Sequence, residues 1–161
     1  MQVRKGVIED YNRIIEVYEG ARQFMRESGN STQWGTTHPS NDLVKNDIRD
    51  GICHVILDED KVVGVFALLF DEDPTYTYIE DGSWLNDKPY GTIHRIAGDV
   101  NVRGILKTAL EYATTKIDNI RIDTHEDNQK MQYLLEKYGF KRCGIIYLAD
   151  GRPRIAYHYE K

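Results

Sequence analysis

Apolar positions recur along this chain at two different periods, and the switches between them mark out its elements. A short strand is expected at "MQVRKG". In "IEDYNRIIEVYEGARQFMRES", Ile8, Tyr11, Ile14, Ile15, Tyr18 and Ala21 fall at helical spacing, and Gly29 follows as a C-terminal cap. Ser40 is placed to cap a second helix over "NDLVKNDIRD", which stops at Gly51. The period then shortens. "ICHVILDEDKVVGVFALLF" predicts two strands around an Asp-Glu-Asp turn, the second so continuously apolar that both its faces should be buried. "DEDPTYTYIEDGSWLNDKPY" mixes turn residues with aromatics and predicts a loop containing a short strand at "TYTYI". Beyond it, "GTIHRIAGD" is a strand. "VRGILKTALEYATTKI" is a helix with Ile105, Leu106, Ala109, Leu110, Ala113 and Ile117 on one side. "NIRIDTH" is a strand, "EDNQKMQYLLEKYGF" a helix ended by Gly139, and the last 21 residues a hairpin turning at Asp150-Gly151.

The resulting order, β-α-α-β-β-β-α-β-α-β-β, describes a single α/β domain over residues 1–161. Helices alternate with strands in its second half, so at least some of the sheet should be parallel. No linker composition divides it. The formal charge of −5 argues against a dedicated nucleic-acid binder, whose affinity rests on phosphate contacts. No apolar run reaches the ~18 residues of a membrane span, and the N-terminal stretch lacks a signal-peptide core, so no membrane partner is expected. Cys53 and Cys143 are far apart and not in a CxxC motif; two buried thiols in a cytoplasmic protein are expected. Neither HxxxH nor HExxH spacing occurs, and no metal site is expected.

One stretch suggests chemistry. "HRIAGDVNVRGILKTALEYATTK" reads as strand, turn and helix, an arrangement that holds an anion at a helix N-terminus. Further on, "EDNQKMQYLLEKYGFKRCG" carries Asn128 followed at fixed spacing by Gly139-Phe140. With that spacing and this element order, the chain resembles the GCN5-related N-acetyltransferase (GNAT) family. The resemblance implies a twisted mixed sheet of about six to seven strands, flanked by about four helices, with a splayed strand pair forming an acyl-CoA cleft. It also implies acetyl-CoA as cosubstrate, direct transfer to a primary amine in a ternary complex, and a possible homodimer. The acceptor would be a small molecule, an amino acid or a peptide N-terminus. Ile96, Ala97 and Gly98 would lie nearest the pantetheine arm, Gly98 serving either a bulge or close approach or a plain strand end. The family's phosphate motif falls on Asn101, Val102, Arg103, Gly104, Ile105 and Leu106, with Asn101 in place of Arg or Gln and Leu106 in place of a small residue. Backbone N–H groups bind anions whatever the side chains, and Arg103 and Lys107 add charge, but Leu106 is expected to crowd the approach. The turn is either an anion cradle or merely a connection. The family's thiol-protonating tyrosine falls on Leu135, which cannot donate; Tyr133 and Tyr138 are its neighbours.

Attack on a thioester needs an amine that sheds a proton and a donor for the oxyanion. Three candidate bases stand near the expected site. His125 lies at a strand's carboxyl end, or else caps the next helix or bonds to Asp123. His94 is a base on the splayed strand or a satisfied core histidine. Glu80 acts through a water or is a solvated loop acid. For the acceptor, Gln33, Trp34, Tyr76, Tyr78, Glu80, Asp81 and Trp84 offer aromatic faces and carboxylates suited to a cationic amine; Trp34 and Trp84 equally suit pinning their loops to the core.

Overall fold

The computed structural model describes residues Met1–Lys161. The elements run β1 (Gln2–Lys5), α1 (Tyr11–Glu27), α2 (Asn41–Arg49), β2 (Cys53–Asp58), β3 (Lys61–Leu69), β4 (Gly91–Gly98), α3 (Ile105–Thr114), β5 (Asn119–Thr124), α4 (Gln129–Lys137), β6 (Lys141–Tyr147) and β7 (Pro153–Glu160). The seven strands form one open sheet in the order β1-β2-β3-β4-β5-β7-β6. Every neighbouring pair is antiparallel except β4 and β5, which are separated in sequence by α3. No helix is long and apolar enough to cross a membrane.

Each face of the sheet carries one helix pair. Ile14, Val17 and Tyr18 of α1 and Val44 of α2 pack with Val55, Val65 and Ala97 on one face. Leu106 and Leu110 of α3 and Leu135 of α4 pack with Ile56, Phe66, Ile93, Ile122 and Ile155 on the other. Enclosed between these layers, β3 is buried from Val62 to Leu68, which is why its sequence loses the alternation of a half-exposed strand. Burial of a side chain such as Leu135, fully enclosed, contributes on the order of 2 kcal/mol.

Two features differ from the sequence expectation. The strand expected at Thr75–Ile79 is instead a 3-10 turn, Pro74–Tyr76, followed by irregular chain with a single bridge from Glu80 to Ile145. The Asp73 carboxylate accepts the Thr75 N–H and hydroxyl, and Pro74 fixes the first turn position, so the local chemistry favours a turn. Tyr76 is buried and Tyr78 exposed, an alternation that mimics a strand. The helices are also shorter than their apolar patterns. Helix α3 starts only at Ile105, because Gly104 is left-handed at φ +86°, and α4 starts only after Asn128, whose Oδ1 accepts the Met131 N–H.

Candidate active site

Strands β4 and β5 pair only at Gly91↔Ile120 and Thr92↔Arg121. Beyond Thr92, β4 pairs with β3 alone, while β5 continues along β7. The strands therefore diverge, and alternate backbone groups of β4 face the gap without a strand partner. The cleft so formed has a volume of about 450 Å³. Its walls are Ile93–Ile96 of β4, Ile122–Thr124 of β5, the loop from Thr32 to Gly35, Asn128 and Met131 at the start of α4, and Arg152 and Arg154 beyond the last turn.

A bulge fixes the β4 wall. The register with β3 shifts between Val65↔Ala97 and Ala67↔His94, so Arg95 and Ile96 together oppose Phe66. Arg95 adopts φ +52°, a left-handed conformation that costs a non-glycine residue about 1–2 kcal/mol. Two contacts from the α1–α2 layer hold it. The Arg95 guanidinium donates to both Asp47 oxygens at 2.8 and 2.9 Å, and the Arg95 carbonyl accepts the Tyr18 hydroxyl at 2.7 Å. Burial raises the Tyr18 phenol well above its usual pKa, so it remains a donor.

Because Ile93, Ile122 and Ile155 face α3 and α4, strand alternation turns their neighbours His94, Asp123 and Arg154 toward the opposite face. His94 Nε2 lies 2.8 Å from Asp73 Oδ2. Burial alone would raise the Asp73 pKa, but hydrogen bonds from His94 and Thr75 outweigh it and bring the pKa down to about 2. An ionised Asp73 requires His94 Nε2 to carry the proton, which leaves Nδ1 as an acceptor. Asp123 Oδ2 accepts the Tyr76 hydroxyl at 2.6 Å. Tyr76 is buried, and burial followed by the nearby Asp123 charge raises its pKa well above the usual value.

This end of the cleft is positive. Partial desolvation lowers the pKa of the His38 imidazole, and the fields of Arg95, Arg152, Arg154 and Arg22 lower it further. Arg152 is half exposed and paired with Asp150 at 2.8 Å. Arg154 is 5% exposed and donates to the carbonyls of Pro153 at 3.0 Å and Gln33 at 3.5 Å. Gln33 Oε1 accepts from Asn30 and Asn128 at 2.8 and 3.0 Å. Trp34 lines the cleft and also packs edge-on against Tyr18, 5.7 Å between ring centroids, so it both borders the cleft and anchors its loop.

Past the end of β4, the chain turns into α3. The N-cap Gly104 provides no side-chain cap, and the helical ladder begins with Thr108 N–H to the Gly104 carbonyl. The N–H groups of Ile105, Leu106 and Lys107 therefore precede the ladder, at the positive end of the helix dipole. Leu106 is 3% exposed within the α3 core, so it does not crowd the approach as expected from sequence. Asn101 and Arg103 are exposed, Val102 is half-buried against the core, and Lys107 lies 4.0 Å from Glu111. Asp99, the one acid in this turn, is paired with Arg13. Gly98 lies outside the bulge and faces Ile105 of α3. A Cβ there would lie 2.5 Å from Ile105 Cγ1, and one on its partner Gly64 would lie 2.8 Å from Ile105 Cδ1. The missing side chains let α3 pack close to the sheet. Of the expected pantetheine neighbours, Ile96 lines the cleft, while Ala97 faces α1 and Gly98 faces Ile105.

Other expected site residues lie outside the cleft. His125 Nδ1 accepts the Asp127 N–H at 2.9 Å and Nε2 lies 3.1 Å from Thr32 Oγ1, so the ring secures the turn into α4. The Glu80 carboxylate is bonded to the hydroxyls of Tyr147 and Tyr78. Trp84 donates to the Tyr76 carbonyl at 2.9 Å and stacks on Arg121, pinning its loop. Asp81 and Tyr78 are exposed on that same loop. Both cysteines are free and buried, and burial raises the Cys53 pKa to about 12, far from a nucleophile's range. The sequence reading missed Asp73, Asp123, Arg154 and the Asp47–Arg95 lock. An Asp-Pro step at Asp73-Pro74 signalled a turn, but nothing local tied it to His94, 21 residues on.

Comparison with solved structures places the fold. A GNAT-family acetyltransferase from Streptococcus agalactiae superposes with a TM-score of 0.89 at 31% identity, over 99% of this chain and 95% of its own. A GNAT-family acetyltransferase from Listeria monocytogenes superposes with a TM-score of 0.70 at 23% identity, over 99% and 94%. The fold is also that of AAC(6')-Ib, solved with paromomycin and acetyl-CoA, with a TM-score of 0.67 at 15% identity over 99% and 93%. No protein-family model and no curated protein matches the chain.

Proposed function

The chain belongs to the GNAT family of acetyltransferases, and from that premise we propose that it moves an acetyl group from acetyl-CoA to a primary amine by direct attack in a ternary complex, with His94 as general base. The observation that carries this proposal is the His94–Asp73 pair on the wall of the cleft where β4 parts from β5.

Two backbone features fit acetyl-CoA. The uncapped start of α3, with Arg103 and Lys107 beside it, suits a pyrophosphate. The unpaired edge of β4 beyond Thr92 suits the amides of a pantetheine arm and offers N–H donors to a developing oxyanion. Acetyl-CoA would supply the acyl thioester, the new N–C bond forming as the C–S bond breaks.

The chain's own groups manage the proton. Asp73 fixes the His94 tautomer, so Nδ1 receives the proton shed by the acceptor nitrogen. At position 135 the leucine is fully buried in the core and cannot donate, so the departing sulfur takes its proton from water or from another residue. Gln33 and Trp34 border the acceptor. His125 acts by holding the loop that contains Thr32, not by moving protons.

Calorimetric titration with acetyl-CoA, dephospho-CoA and pantetheine, followed by thiol-release assays over a panel of primary amines, tests the proposal. Binding that weakens when the nucleotide end is removed, with thiol release that collapses in His94→Gln, is the expected result. Binding without release from any amine, or release undiminished in His94→Gln, removes the assignment of His94 as base.

A further inference from the structure

The arginines lining the cleft are not equivalent. Arg95 and Arg152 have carboxylates of their own, Asp47 and Asp150. Arg154 has none. Its hydrogen bonds go to two backbone carbonyls, although it is 5% exposed. The two acids whose charge reaches it, Asp123 and Asp150, are engaged by the Tyr76 hydroxyl and by Arg152. A guanidinium largely removed from water, without a counter-ion and on the wall of a ligand-sized cleft, is an anion site in waiting.

Its position excludes the phosphates of acetyl-CoA as that anion. The start of α3 lies on the face reached by Ile93, Ile122 and Ile155, and Arg154 lies on the other face with His94 and Asp123. Three features of that second face are complementary to one small molecule. Asp123 Oδ1 is left without a hydrogen bond when Oδ2 accepts from Tyr76, and it can receive an ammonium group. Gln33 Oε1 already accepts from two amides, which fixes the Gln33 side chain with its NH₂ as donor, next to the carbonyl that Arg154 contacts. His94 and Arg154 stand on β4 and β7 with β5 between them, and both side chains line the one cleft.

We infer that the acceptor is a free amino acid, its carboxylate bound by Arg154 and Gln33 and its amine placed between Asp123 and His94. This inference rests on the acetyltransferase reading for the amine's fate, but not for the carboxylate's site. Of the residues expected from sequence to hold a purely cationic amine, Gln33 and Trp34 line the cleft, but the acids and the other aromatics do not: Tyr76 and Trp84 are packed into the loop core, and Tyr78 and Glu80 bond outside it.

The test compares each standard amino acid with its C-terminal amide and its decarboxylated amine, on the wild-type protein, in two separate readouts. In thiol release with saturating acetyl-CoA, at least one amino acid should exceed its amide and its decarboxylated amine by about tenfold or more in kcat/KM, the equivalent of one charge-assisted hydrogen bond. Arg154→Met should raise KM for that amino acid by at least as much, leave the calorimetric affinity for acetyl-CoA unchanged, and abolish the preference for acid over amide. Arg154→Lys, which keeps the charge and serves if the methionine variant does not fold, should retain part of the preference. In equilibrium titration without acetyl-CoA, the same amino acid should bind more tightly than its amide. That second readout stands even if no acetyl transfer is found, so failure of the carboxylate site and failure of the transferase reading are distinct. Amides or decarboxylated amines that bind and react as well as the parent acids overturn the inference. So does an acid preference that survives Arg154→Met, or no binding of any amino acid.

Discussion

The two sides of the cleft are built from different materials. At the start of α3 the groups proposed to hold an anion are backbone N–H donors, and the side chains at the same positions are turned elsewhere: Leu106 into the core, Ile105 against two glycines. Around the cleft four polar side chains are each held by a partner distant in sequence: His94 by Asp73, Arg95 by Asp47, Asp123 by Tyr76, Gln33 by Asn128. The first kind of site tolerates unusual residues, because its donors and dipole belong to any helix. The second depends on particular side chains and on the tertiary contacts that orient them.

That contrast can be broken most forcefully at His94. Replacing His94 with Gln should lower kcat by on the order of 10²-fold or more while leaving acetyl-CoA affinity unchanged, as measured by thiol release and calorimetry on the same preparations. Loss of affinity in step with kcat would mean that the two sides are not separable. On the backbone side, Gly104→Val forces a β-branched residue into φ +86°, beside the Met1 side chain. We expect about 1–2 kcal/mol less stability in denaturant titration and weaker binding of acetyl-CoA, but not of pantetheine. Asn101→Ala, by contrast, should leave that affinity as it is.

A smaller effect sharpens the acceptor side. Asp73 has a folded pKa of about 2, below its usual value of 3.8, so its ionised form is stabilised by folding. That contribution, about 2 kcal/mol, is present above pH 4 and disappears as pH falls toward 2. Asp73→Asn should therefore lower the unfolding free energy at pH 7, and the difference from wild type should shrink on acidification across that window; a constant difference from pH 7 to 2 contradicts the pairing. Smallest of all, His125→Ala removes the acceptor of the Asp127 N–H and should cost about 1 kcal/mol of stability with kcat unchanged. A large fall in kcat would return His125 to the list of bases.

The same contrast governs what could be read from sequence. The helices, the buried β3, the final hairpin and the parallel contact of β4 with β5 follow from local periodicity and element order, which is how packing writes itself into a chain. The helix ends and the loop after β3 followed capping chemistry: Gly104, Asn128 and Asp73-Pro74 overrode the apolar and aromatic patterns around them. The turn into α3 was legible as a strand–turn–helix passage although its glycine signature is degraded, because the left-handed Gly104 and the helix that follows it are local features. His94 was found as a residue type on the right strand. Its partner was not, and neither was Arg154, because a contact between β7 and the loop at Gln33 spans 121 residues and leaves no local trace. Aromatic residues near the site in sequence were mistaken for its lining when their rings were needed to pack the loop from Asp73 to Tyr90.

Two absent methyl groups set the height of the ledge on which α3 begins. Gly64 and Gly98 sit side by side on β3 and β4, and Ile105 rests in the hollow between them. An alanine at Gly98 would act as a shim, lifting the first turn of the helix without touching any ligand. The height of the proposed phosphate-binding turn is thus set from directly beneath α3, apart from the rim formed by Gln33, Arg152 and Arg154. Substitutions at that rim and substitutions beneath α3 therefore act on separate parts of the proposed site.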